Sequence, residues 1–192
     1  MKNHKFIFIV LVSIIFSATN SYSNENIISL IENEWNNTQT LSGNFIQTDH
    51  NNKIEEGKFY IQKPYKSFFK YNKKNEHFIT GRFLLHIVDD ARFEIESYPL
   101  QGHLLKKILN NNLNINENGN IISFKEINDQ YIITTQSEPN EQIVMLFFDT
   151  ENFTLNKWEI LDEFNQKTSL EFTNIVKNIS IDLNKFSVRY NN

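Results

Sequence analysis

A chain of 192 residues, 40% of them apolar, has the size for one domain with a sizeable core. Its formal charge of -4 comes without a basic patch, which argues against nucleic acid as a partner. The sequence holds no Cys, which excludes disulfides, thiol catalysis, cysteine zinc sites and lipid attachment through an N-terminal Cys.

Lys2 and Lys5 precede an apolar stretch, Phe6 to Val12, which Ile14, Ile15 and Phe16 continue. Small residues follow at Ser17, Ala18, Ser21 and Ser23. That order is the one expected of a cleavable secretory signal over residues 1–23. The cut is expected after Ser23, with a cut after Ala18 as the alternative. The stretch falls short of the roughly 20 residues a membrane-spanning helix needs. The mature chain, residues 24–192, is therefore expected to be a single soluble domain outside the cytoplasm.

Asn24 to Thr38 carries Ile27, Ile28, Ile31 and Trp35 on one stripe, which predicts an amphipathic helix. After Thr40 the period changes to two. Strands are predicted over Leu41–Thr48, Glu55–Gln62, Ser67–Asn72, His77–Thr80, Phe83–Val88 and Arg92–Ser97. The pattern then breaks. Pro99, Leu100, Leu104, Leu105, Ile108 and Leu109 have helical spacing, and Asn110 to Asn112 close this insert. Strands resume over Ile121–Ile127, Tyr131–Thr135, Gln142–Asp149, Thr154–Leu161 and Lys167–Val176. Short polar turns between them predict an antiparallel meander. Ile143 to Phe148 is apolar on both faces, which predicts a central strand covered on both sides. A sheet this wide curls, and the first helix and the insert are the natural covers for its hollow face.

Signs of catalysis are few. The histidines, His4, His50, His77, His86 and His103, show no spacing suited to a shared metal, although His77 and His86 flank one turn. No nucleophile elbow, phosphate-cradling glycine loop or zinc-protease helix is present. Adjacent carboxylates such as Glu55-Glu56 point to opposite faces of a strand, and Asp89-Asp90 reads as a turn. The chain is expected to be no enzyme and to need no metal or cofactor.

Four stretches carry a family resemblance. Leu41-Ser42-Gly43-Asn44-Phe45-Ile46-Gln47 resembles the opening strand of the LolA family of outer-membrane lipoprotein carriers, with its Gly-x-Phe-x-Gln. Glu56-Gly57-Lys58-Phe59-Tyr60-Ile61-Gln62-Lys63-Pro64 resembles its second strand, which typically ends in Arg-Pro. Phe69-Lys70-Tyr71 resembles its aromatic third strand, and Tyr98-Pro99-Leu100 with Leu104-Leu105 and Ile108-Leu109 resembles its lid. The resemblance implies a mainly β (α+β) fold. Its core is an incomplete antiparallel β-barrel of about ten to eleven strands, closed by an N-terminal helix and a helical lid. It also implies a monomeric periplasmic chaperone that shuttles acylated lipoproteins. Its partners are then an ABC-type inner-membrane exporter and an outer-membrane receptor.

On that footing the expected acyl-cavity lining is Phe45, Phe59, Ile61, Phe69, Tyr71, Phe93, Ile95, Leu170 and Phe172. The expected lid residues are Leu100, Leu104, Leu105, Ile108 and Leu109. The plain alternatives are ordinary core and an amphipathic helix resting on a sheet. Lys63 stands where the family's lid-holding Arg is expected, as a latch or simply as a solvated strand-end charge. Ser67 stands at a position that is usually apolar and contacts the exporter, with Phe68 or Tyr65 as substitutes. A lipid or lipoprotein sensor of the cell envelope is the alternative reading. A hydrolase on a curved sheet lacks convergent polar groups, and a structural protein with a solid core is separated from a carrier by a measured cavity.

Overall fold

A computed structural model describes residues 24–100, 106, 108–115, 120–136 and 142–190. The proposed signal segment, Leu104, Leu105 and His103 lie outside these residues. Helix α1, Asn24–Asn37, buries Ile27, Ile28, Ile31 and Trp35. Its last turn closes where the Thr38 amide and hydroxyl both donate to the Glu34 carbonyl.

Eleven strands follow: β1 Thr40–Thr48, β2 Ile54–Gln62, β3 Lys66–Tyr71, β4 His77–Thr80, β5 Leu84–Val88, β6 Glu94–Pro99, β7 Asn120–Ile127, β8 Gln130–Gln136, β9 Ile143–Asp149, β10 Leu155–Leu161 and β11 Lys167–Lys177. They form one antiparallel sheet in the order β6-β5-β4-β3-β2-β1-β11-β10-β9-β8-β7. From β1 the chain steps outward to β6. It then crosses to the far edge, starts β7, and steps back until β11 pairs with β1. The first and last strands meet in the middle, and β6 and β7 end the order on opposite edges, so the sheet is open. The connection between Pro99 and Asn120 therefore has to pass from one edge to the other.

The expected central position of Ile143–Phe148 is corrected by this order. β9 lies third from the β7 edge. Its second apolar face is screened by side chains: Phe147 is buried beneath the Lys157 ammonium, 5.0 Å from the ring centre.

The sheet has two faces. The inner face carries the main core, with Phe45, Phe59, Phe69, Ile133, Leu146, Phe148, Trp158 and Phe172 packed together beneath α1. On the outer face, Phe68, Ile79 and Val88 are covered by Phe186 and Val188 of the C-terminal segment. That segment includes a 3-10 turn, Leu183–Phe186, capped by the Asp182 side chain. The Arg92 guanidinium grips it by donating to the Asn184 carbonyl and the Ser187 hydroxyl.

Candidate functional site

The buried inner face draws alternate residues from seven strands, β1–β3 and β8–β11. Phe45 of β1 faces Gly57 of β2, and Phe59 of β2 faces Gly43 of β1. Each glycine makes room for the opposite ring. A Cβ at Gly57 would lie 2.6 Å from the Phe45 ring and 2.1 Å from the Lys70 carbonyl oxygen. A Cβ at Gly43 would lie 2.8 Å from the Phe59 ring. The rings then meet edge to face: Phe45 with Phe69 at 5.4 Å, Phe45 with Tyr71 at 4.9 Å, and Phe59 with Phe172 at 4.8 Å. Such geometries add modestly to the burial of the rings themselves. Ile61 and Leu170 complete this cluster and are buried.

Two residues expected on this face are elsewhere. Ile87 pairs with Glu96 while Val88 pairs with Glu94, so Ile95 is the extra residue of a β-bulge and is 56% exposed. Phe93 precedes β6 and makes an isolated bridge with Arg189, away from the cluster. Trp158, conversely, belongs to the face. Its ring centre is 5.0 Å from Phe172 and 6.4 Å from Phe69. It lies directly across the β10–β11 hairpin from Leu170. Counting back from Leu170 through the polar turn would have found it.

Above this face sit α1 and part of the crossing segment. Leu100, Ile108, Leu109, Leu113 and Ile115 are all buried, and Lys106, Ile108 and Ile115 have helical backbone. The Trp35 indole donates to the Ile108 carbonyl at 2.9 Å. Asn36 pairs with both backbone groups of Leu113, and the Ile115 amide donates to Glu32. Tyr65 joins the segment to the sheet through its amide, which donates to the Leu109 carbonyl, and its hydroxyl, which donates to Asn110.

Lys63 is not a solvated strand-end charge. It is 5% exposed, and its ammonium donates to the Trp35 carbonyl in the last turn of α1, 5.1 Å from the Trp35 ring centre. The C-terminal end of a helix is where a cation is best received. Desolvation nevertheless lowers its pKa from 10.5 to about 8. Its contact among the described residues is thus with α1, and Trp35 links it onward to Ile108. Ser67 is fully buried and exchanges a 2.8 Å hydrogen bond with Thr80, whose hydroxyl also donates to the Tyr65 carbonyl. Phe68 is buried under the C-terminal segment. Neither faces outward: Thr80 of the neighbouring strand takes Ser67, and the C-terminal segment covers Phe68.

The polar groups elsewhere are already paired. The His77 ring binds Asp90 at 2.8 Å and His86 binds Glu94 at 2.5 Å, so the two do not converge. No group of three metal-ligating side chains occurs among the described residues. Two open depressions, each about 420 Å³, lie at the ends of the inner face. One is at Tyr71, between Lys53, Glu55 and Lys74; the other is at Phe172, beside Asp149, Asn174 and Lys177. Their rims are polar, and no residue of α1 lines either.

The mainly β fold with about eleven antiparallel strands that the strand motifs anticipate is present, as one open sheet with an apolar face under one helix. The family model described as outer membrane lipoprotein carrier protein LolA matches residues 36–189. The chain belongs to the LolA family. That family is a periplasmic family of carriers and binding proteins rather than of enzymes. Among solved structures, this LolA-family chain is similar to an uncharacterized conserved protein from Thermus thermophilus. Identity is 7%, 88% of this chain and 100% of that one are covered, and the TM-score is 0.53, a likeness of fold alone. It also matches the LolA superfamily protein NE2245 from Nitrosomonas europaea, with 11% identity, 83% and 97% coverage and a TM-score of 0.48. A third match is the MucA/MucB complex of Pseudomonas aeruginosa, with 8% identity, 87% and 62% coverage and a TM-score of 0.47. No curated protein sequence matches the chain. Among the described residues, no helix is long and apolar enough to cross a membrane.

Proposed function

We propose that this LolA-family chain is a periplasmic carrier. It receives acylated lipoproteins from an ABC-type exporter of the inner membrane and passes them towards an outer-membrane receptor. The acyl chain is held on the inner face. The observation that carries this reading is the continuous aromatic and aliphatic face over β1–β3 and β8–β11. Among the described residues, its cover is tied to the sheet by a handful of hydrogen bonds, from Lys63, Tyr65 and Lys177.

The energetics fit such a device. An acyl chain forfeits about 0.8 kcal/mol per CH2 in water, or roughly 12 kcal/mol for a sixteen-carbon chain. Lifting α1 uncovers Ile27, Ile28, Ile31 and Trp35, at roughly 1.5–3 kcal/mol each. The two terms are of similar size, so the acyl chain replaces the helix at small net cost, and release is correspondingly easy. Phe45, Phe59, Ile61, Phe69, Tyr71, Leu170 and Phe172 are the proposed lining, with Trp158 added. Leu100, Leu104, Leu105, Ile108 and Leu109 are the proposed lid, with Lys63 as a latch acting through α1. Residues 1–23 are the proposed export signal, cut after Ser23 or Ala18.

Native mass spectrometry of the protein purified from periplasm tests the reading. Co-purified species heavier by an acylated peptide or lipid are expected, and replacing Leu104 and Leu105 together by Ser is expected to reduce them. A uniformly empty protein that also fails to retain a synthetic diacylated peptide refutes the reading.

A further inference from the structure

We infer that α1 and residues 108–115 form one clasped cover, with Glu32, Trp35 and Asn36 as the positioning residues that fuse them. Lys63 then holds the whole cover through Trp35 of α1. The purpose of such a cover rests on the carrier reading; the coupling itself does not.

Glu32, Trp35 and Asn36 are spaced three and four apart and so share one side of the helix. All three reach backbone atoms of the crossing segment. Trp35 donates to the Ile108 carbonyl at 2.9 Å. The Leu113 amide donates to the Asn36 side-chain oxygen at 2.7 Å, and the Asn36 amide returns a bond to the Leu113 carbonyl at 3.2 Å. The Ile115 amide donates to Glu32 at 2.6 Å. Asn36 thus satisfies both backbone groups of one residue, as a neighbouring strand would.

These four bonds are within the cover. The bonds between cover and sheet are of another set: Lys63 to the Trp35 carbonyl, Lys177 to Glu34 at 2.6 Å, and Tyr65 to Leu109 and Asn110. Lifting α1 alone breaks the first set as well as its own ties to the sheet. Lifting both elements together leaves the first set intact and breaks only the second. Trp35 sits at the junction, since its carbonyl accepts from Lys63 while its indole donates to Ile108. A disturbance at Lys63 is therefore passed to residues 108–115 through Trp35.

Hydrogen exchange on the empty mature chain tests this. Lys63→Ala, which removes the buried stem as well as the hydrogen bond, is expected to speed exchange of the α1 amides and of the Leu113 and Ile115 amides together, by about tenfold. In a Glu32→Ala, Trp35→Phe, Asn36→Ala background, Lys63→Ala is expected to speed α1 while adding nothing at Leu113 and Ile115. A merely structural role for these residues predicts no such loss of transmission. Should the combined variant fail to fold, Asn36→Ala alone decides the matter. It is expected to loosen Leu113 and leave the helix amides unchanged. Overturning results are Lys63→Ala acting on one element only, or Asn36→Ala loosening both elements equally or neither. A diacylated peptide added afterwards addresses the carrier reading separately. Its failure to bind refutes that reading and leaves the exchange result standing.

Discussion

Replacing Lys63 by Met keeps the length and most of the apolar stem of the side chain and removes its charge. The residue is 5% exposed, and burial lowers its pKa from 10.5 to about 8. A shift of that size corresponds to about 3 kcal/mol of charging cost in the folded state. At pH 7 the variant recovers this cost but loses a charge-assisted hydrogen bond of about 1.5–3 kcal/mol. The Trp35 carbonyl is not orphaned, because it also accepts from the Thr38 amide at 3.1 Å. The two terms nearly cancel, so wild type and variant are expected to differ by less than about 2 kcal/mol at pH 7. The pH dependence is more telling. Between about 8 and 10.5 the unfolded chain still holds the lysine proton and the folded chain has released it. Wild-type stability therefore rises relative to the variant across that window, by up to about 3 kcal/mol. Below pH 8 the difference is constant. Urea unfolding of both proteins at pH 7, 8, 9 and 10 measures it, and taking the difference cancels the other titrating groups. A difference that stays flat across the four pH values, or falls as pH rises, refutes the burial argument for Lys63.

Three further outcomes are expected. Gly57→Ala places a Cβ 2.1 Å from the Lys70 carbonyl oxygen and is expected to cost about 1–3 kcal/mol or more in urea unfolding, whereas Gly81→Ala, with open space around it, stays within about 0.5 kcal/mol. Trp158→Ala is expected to cost about 3–5 kcal/mol, as for a core aromatic; a loss under 1 kcal/mol would remove Trp158 from the inner face. Thr80→Val strands the buried Ser67 hydroxyl and the Tyr65 carbonyl at about 1–3 kcal/mol, and Ser67→Ala costs less because Thr80 still donates to Tyr65; the reverse ranking in unfolding midpoints would contradict the hydrogen-bond chain.

Much of the molecule was legible from local pattern. The stripe Ile27, Ile28, Ile31 and Trp35 predicted α1, and period-two runs predicted all eleven strands, most with ends within a residue or two. Phe45, Phe59 and Phe172 were assigned to one face because alternation is a property of the extended backbone itself. Ile95 shows where that reasoning stops. Alternation within Arg92–Ser97 puts it beside Phe93 on an apolar side, yet the bulge opposite Ile87 and Val88 leaves it outside the ladder.

What the amino-acid sequence determined by itself was element type, approximate bounds, the facing of most apolar side chains and the family. These depend on interactions a few residues apart, which repeat regularly enough to be counted. Strand order, the placing of β6 and β7 at opposite ends of it, the position of Trp158 against Phe69, and the partner of Lys63 were decided only in the tertiary structure. Trp35 and Ile108 are 73 positions apart, and Lys177 and Glu34 are 143 apart. No local period encodes such meetings; they exist because the whole sheet brings its first helix, its crossing segment and its last strand to one place.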